Sequence, residues 1–169
     1  VDYVGIDVCQ YIMSVMNPYV KDEDLHSDLL DTFIDMGVKG GQFHDGSQKD
    51  GFLKYVKGRP VGIYDPEKKD YVAIDDIQAG CDEKLGALPG AAMPWKKVIG
   101  SPDKEDILAN HFKELNEMNT LGAQLAVAYG KRSMEISKKL VADNVAHCDE
   151  DVNAVLLAGF YHSYGPIND

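Results

Sequence analysis

Residues 37–55 read GVKGGQFHDGSQKDGFLKY. Four glycines fall within ten positions, at 37, 40, 41 and 46, with lysines at 39 and 49, and an aromatic, extended run follows. Such glycine density raises the question of a phosphate-cradling loop. The order of elements argues against it. A dinucleotide fingerprint needs GxGxxG between a strand and a helix, and a P-loop needs GxxxxGK followed by Ser or Thr. Here the glycines follow a helical pattern, and Gly130-Lys131-Arg132 has neither the glycine spacing nor the hydroxyl. The stretch reads as a structural turn, where glycine permits positive φ and tight packing after a helix.

Upstream of the turn, residues 22–36 predict a helix with a stripe of Leu25, Leu29, Phe33 and Met36, acidic residues at its start and Gly37 at its end. Residues 1–16, VDYVGIDVCQYIMSVM, carry Val1, Val4, Val8, Ile12 and Val15 at near-helical spacing. Downstream, residues 60–74 hold two β-branched and aromatic runs around Asp65-Pro66, the pattern of a small hairpin or extended excursion. Residues 80–100, with four glycines and two prolines, read as a linker with little regular structure. Helices resume near 103–118, with Ser101 as expected N-cap and Pro102 at the first helical position, and then over about 120–143. A last one begins in CDEDVNAVLLAGF, with Val152, Val155, Leu156 and Gly159 on one face. The chain is expected to be mainly α.

Composition narrows the function classes. The 169 residues are 44% hydrophobic and 27% charged, as in ordinary soluble domains, and the net charge is -11. That balance would repel a phosphate backbone, so no nucleic-acid partner is expected. No apolar run approaches the ~18 residues of a membrane span and no signal-peptide pattern opens the chain. Cys9, Cys81 and Cys148 are odd in number and widely spaced, which fits free thiols in a reducing, cytoplasmic setting. His26, His44, His111, His147 and His162 form no HExxH or other ligand spacing, so no metal site is expected. His44, Asp45 and Lys49 are the one local grouping an unrelated enzyme could use.

Two stretches carry a resemblance. GVKGGQFHDGSQKDGFLKY resembles the segment that closes the C-terminal domain of 3-hydroxyacyl-CoA dehydrogenases, where a helix ends in glycine and the chain leaves as Lys-x-Gly-Phe-x-x-Tyr; Lys49, Gly51, Phe52 and Tyr55 supply that ending. VDYVGIDVCQYIM resembles the family's helix-opening stretch through Asp2, Val4, Gly5, Asp7 and Val8, and the chain starts too late to hold the Gly-Pro-Phe that precedes it. At the other end, LVADNVAHCDEDVNAVLLAGFYHSYGPIND is similar to the first half of the same domain. Glu150, Asp151, Val152, Gly159, Phe160, Gly165 and Pro166 match; Asn153 replaces an Asp, Asn144 takes a common Gly position, and Asp169 falls where the next Asp belongs.

The resemblance covers about three-quarters of the 169 residues. It implies the second half of one such domain over 1–56, a connecting segment over 57–102 and the first half of a tandem copy over 103–169. The implied fold is a helical bundle of the 6-phosphogluconate dehydrogenase C-terminal-domain type, with a short extended excursion between the halves. The implied activity of the parent is oxidation of an L-3-hydroxyacyl-CoA in fatty acid β-oxidation, with hydride passing to NAD. The catalytic His–Glu pair and the NAD site belong to a separate nucleotide-binding domain, so no catalytic and no cofactor-binding residue is carried over to this fragment. The family's substrate-contacting Asn-Arg pair would fall near Val127, in QLAVAYG, and is missing there. The fragment alone is thus expected to be inactive, serving substrate-side packing and dimerisation. Its pairing would be with a second copy or between the halves, covering faces such as Leu25/Leu29/Phe33 and Val152/Val155/Leu156. Two residues remain as substrate-binding candidates, Lys49 and Gly51, on the acyl-CoA side of the turn. The alternative is a free-standing, non-catalytic helical interaction module derived from that family.

Overall fold

Gly5 and Gly37 set the start and end of the first two helices. The computed structural model describes residues 1–168; Asp169 lies outside the described residues. Two compact units divide the chain, Val1–Gly80 and Cys81–Asp169, and the division falls inside the expected connecting segment 57–102. Helix dominates both, and the strands form one small sheet.

In the first unit, helix α1 spans Ile6–Met16, and a 3-10 turn at Asn17–Tyr19 extends it. It starts later than the expected residue 1, because Gly5 takes φ 116 as N-cap and Val1–Val4 form a turn closed by Gly5 N donating to Val1 O. Helix α2 spans Asp28–Asp35, shorter than the expected 22–36. The reason is Asn17, whose side chain both accepts from Leu25 N at 2.6 Å and donates to Leu25 O at 3.1 Å. Those bonds hold the preceding segment out of a helix, and Ser27 then caps α2 by accepting from Leu30 N. The buried face of α2 is Leu30, Phe33 and Ile34, whereas Leu29 of the expected stripe is half exposed. Gly37, at φ 77, ends the helix as expected, with Val38 N bonded to Phe33 O and Gly37 N to Ile34 O, a Schellman pair.

The sheet is an antiparallel meander of β1 (Leu53–Val56), β2 (Arg59–Asp65) and β3 (Asp70–Ala73), in that order. The expected hairpin of 60–74 is its β2–β3 arm, and the tail of the opening stretch adds β1. Lys57 and Gly58 both have positive φ, at 50 and 74, as a two-residue type I′ turn requires. Tyr64 of β2 and Phe52 reach across to Phe33, with ring centroids 5.6 and 4.4 Å away, and with Ile6 and Val38 they make the core.

Helix α3 spans Ile74–Leu85, and α4 spans Trp95–Ile99, so the expected linker of 80–100 is partly helical. Gly80 obscures α3 in sequence, but Asp75 and Asp76 in its first turn and Lys84 in its last complement the helix dipole. The second unit continues with α5 (Lys104–Glu117), α6 (Leu121–Ala142) and α7 (Asp149–Ala154), whose end loosens into a π turn over Val155–Gly159. Asp103, not Ser101, is the N-cap of α5; Ser101 Oγ instead accepts from Asp103 N at 3.2 Å. The Glu114 carboxylate accepts from Ala91 N at 2.9 Å and anchors the irregular loop before α4.

Asn144 explains its own place after α6. Its φ is 58, its N–H reaches Val141 O, and Val145 N reaches Leu140 O. This is again a Schellman end, with Asn at the left-handed position that glycine fills most often. Asn144→Gly is therefore expected to raise the stability of the second unit by about 0.5 kcal/mol and Asn144→Ala to lower it by about 1 kcal/mol, read by urea denaturation.

Candidate functional site

The opening stretch is organised by a residue at the far end of the first unit. Asp2 is 8% exposed. Its Oδ1 accepts from Phe52 N and its Oδ2 from Leu53 N, both at 2.7 Å, and Oδ2 also accepts from the Tyr55 hydroxyl at 3.4 Å. Its main-chain carbonyl accepts from Gly41 N at 2.8 Å and from Gln48 Nε2 at 2.9 Å. The turn is thus wrapped on Asp2 from both sides. This is why the glycines are needed. A Cβ on Gly40 would lie 2.8 Å from Asp2 O, and one on Gly51 would lie 2.8 Å from Asp2 Oδ1 and 2.9 Å from Gly40 Cα.

Tyr71 closes the cluster from β3. Its hydroxyl donates to Gly51 O at 2.9 Å, and Lys54 Nζ stands 5.6 Å from its ring centroid. Burial, with the charges of Asp50 and Asp2, pushes the Tyr71 phenol up to about 12. Burial, followed by the Asp2 charge, raises Tyr55 as well. A phenol whose folded pKa lies above its ordinary 10 favours the fold while it stays protonated. For Tyr71 that contribution is intact below pH 10 and is lost as the pH rises through about 12. The gap amounts to on the order of 2 kcal/mol. Tyr71→Phe is expected to flatten the loss of stability between those limits, measured by urea unfolding at stepped alkaline pH.

Of the sequence candidates, Gly51 sits in this buried contact and Lys49 lies beside the hairpin of residues 42–48. Lys49 Nζ is 5.4 Å from the Phe43 ring centroid, and its N–H donates to Gly41 O at 2.9 Å. The grouping of His44, Asp45 and Lys49 falls on and beside that hairpin. Asp45 turns back on its own loop, accepting from Ser47 Oγ at 2.6 Å and Ser47 N at 2.9 Å, and the Ser47 hydroxyl, then its N–H, hold the carboxyl below the usual range. Asp2 was visible in sequence only as a motif letter. Its side-chain partners are 50 residues away or more, and no local spacing announces them.

Among the described residues no cluster of His, Cys, Asp and Glu could hold a metal ion, and no helix is long and apolar enough to cross a membrane. The arrangement offers a buried carboxylate that accepts from two main-chain N–H groups and the Tyr55 hydroxyl. Its chemistry is that of an anchor. No family model, curated protein or solved structure matches the chain.

Proposed function

We propose that the chain is a support and pairing module of an NAD-dependent L-3-hydroxyacyl-CoA dehydrogenase of fatty acid β-oxidation. In this reading its helices are halves of bundles of the 6-phosphogluconate dehydrogenase C-terminal-domain type. They pack beside the acyl-CoA, while NAD and the hydride chemistry lie on a nucleotide-binding domain outside these 169 residues. The observation that carries the reading is the Asp2 anchor. The resemblance rests on DYVGIDV and KDGFLKY, which are distant in sequence. The Asp of the first is hydrogen-bonded to Phe52, Leu53 and Tyr55 of the second. That two motif stretches so far apart in sequence meet in the fold is the support for the reading.

The test is a pair of calorimetric titrations on the whole chain, with NAD and then with acetoacetyl-CoA. The expected result is no NAD binding and weak or absent binding of the CoA ester. Tight NAD binding would overturn the reading. Micromolar binding of the CoA ester without NAD would promote Lys49 and Gly51 from turn residues to a substrate site.

A second reading, a pairing module without an enzyme, is favoured by the surface of α1. Val4 before it and Val8, Tyr11, Ile12 and Val15 along it are 41% to 69% exposed, and Asp7 is the only charge within the helix. A run of large apolar side chains left this exposed along one helix calls for a cover, from a second copy or from within the chain. Sedimentation velocity decides: a discrete species whose mass is independent of conditions supports pairing, and a polydisperse, molten one sinks it. A GxGxxG domain encoded upstream in the same gene would separate the enzyme reading from the free-standing module.

A further inference from the structure

The second unit gathers four of its six Phe, Tyr and Trp side chains on one open surface. Trp95, Phe160, Tyr161, His162, Ser163 and Tyr164 line a cavity of about 290 Å³. Phe160 and Tyr161 are 67% and 70% exposed, which is a large apolar cost for a lone surface. The backbone is also bent to present them. Tyr161 has φ 54, and the Leu156 carbonyl accepts from both Phe160 N and His162 N at 3.2 Å, just where α7 loosens into its π turn. A non-glycine residue at positive φ costs about 1 kcal/mol or more and is kept where something else depends on it. Tyr164 is braced from behind by Phe112, at 4.8 Å between ring centroids.

Five of the six lining residues end in a polar tip: the indole N–H, two phenols, an imidazole and a hydroxyl. None is acidic, although the chain carries a net charge of -11. Lys96 holds its ammonium 5.6 Å from the Trp95 ring centroid, and Lys97 follows it. Flat rings with donor tips, beside a cation, fit a ligand that offers both apolar ridges and unpaired carbonyls. A polyproline II strand is such a ligand, because it makes no internal hydrogen bonds and its proline rings slot between aromatic side chains.

We propose that this surface binds a proline-rich segment in the polyproline II form, flanked by acidic residues that meet Lys96. The proposal is independent of the dehydrogenase reading. Trp95 is the chain's one tryptophan, so its fluorescence reports the site directly. The whole chain is titrated at low salt with a polyproline peptide flanked by glutamates, its lysine-flanked counterpart and a Gly/Ser peptide of equal length. The expected result is a saturable change with the first, roughly threefold weaker or poorer binding of the second, and none with the third. Tyr161→Gly is expected to weaken binding about tenfold. It leaves the far-ultraviolet dichroism unchanged, because glycine accepts that backbone conformation without strain. Lys96→Ala is expected to abolish the preference for the acidic flank. No response to either proline peptide, an equal response to Gly/Ser, or a response to indole-3-acetate alone would overturn the proposal, the last in favour of a pocket for small aromatic anions.

Discussion

Asp2→Ala is expected to cost the first unit about 3–4 kcal/mol, through stranded donors rather than lost charge attraction. The mutation leaves Phe52 N, Leu53 N and the Tyr55 hydroxyl without their acceptor in a part-buried site. Hydrogen bonds to a carboxylate contribute about 1.5–3 kcal/mol each, and a buried donor left unmade costs about 1–3 kcal/mol. Asp2→Asn keeps one acceptor and sets an amide N–H₂ against a backbone N–H, so its cost should be near ~2 kcal/mol. Urea unfolding gives the totals, and amide exchange at Phe52 and Leu53 localises them. If those two amides exchange no faster than in the parent chain, the anchor is not what holds the turn. Gly51→Ala supplies the contrast between anchor and substrate site. Its Cβ would press on Asp2 Oδ1 at 2.8 Å and on the Gly40 backbone at 2.9 Å. It should lose stability with or without a CoA ester; a stable variant that loses only CoA-ester binding would reverse the assignment.

What the sequence made legible was local. Gly37 and Asn144 each end a helix by a rule that spans about six residues, and both ends could be read from a glycine or its usual substitute. The periodicity of α5 and α6 was legible for the same reason, since both are long enough to show it. The start of α2 was hidden because the decisive bonds come from Asn17, eight residues before Leu25, and no helix rule looks that far back. Gly80 and the prolines near α4 disguised two helices as a linker. The extended run that becomes β1 was legible after the glycine turn, but its pairing with β2 was not, because the partner and not the run itself supplies it.

The candidate site was legible only in its letters. Gly40 looked like a turn residue and Gly51 like a substrate-side candidate, but the close approach of Asp2 to both comes from contact across the fold. The sheet adds Tyr71 to the same cluster across a further 20 residues, where neither spacing nor charge pattern pointed. Asn153 is the reverse case. The amide itself was visible at once, and its partner 14 residues on was not. The Asn side chain makes two opposite bonds to one residue, accepting from Ile167 N at 3.0 Å and donating to Ile167 O at 2.8 Å. A carboxylate could only accept.

That clasp leads to the second large effect. Gly165→Ala is expected to detach the segment 165–168 from α7 at a cost of about 3 kcal/mol. A methyl group there would overlap Asn153 Cβ, Cγ and Oδ1 together, and Cβ cannot swing away as a side-chain tip can. Backbone movement would then break both Ile167 bonds and the bond from Asn168 Nδ2 to Gly165 O, and would expose Ile167, now 9% accessible. Asn153→Asp attacks the same clasp by charge: the donor to Ile167 O is lost and a carboxylate oxygen faces that carbonyl, costing about 2 kcal/mol. The two variants therefore share one readout, faster amide exchange at Ile167 with α6 still protected. They differ in pH response. Protonating the introduced carboxylate in the second variant restores a donor and should recover part of the protection at acid pH, whereas the alanine variant has nothing to titrate. Retained protection of the Ile167 amide in Gly165→Ala would show that the segment is held by something other than Asn153.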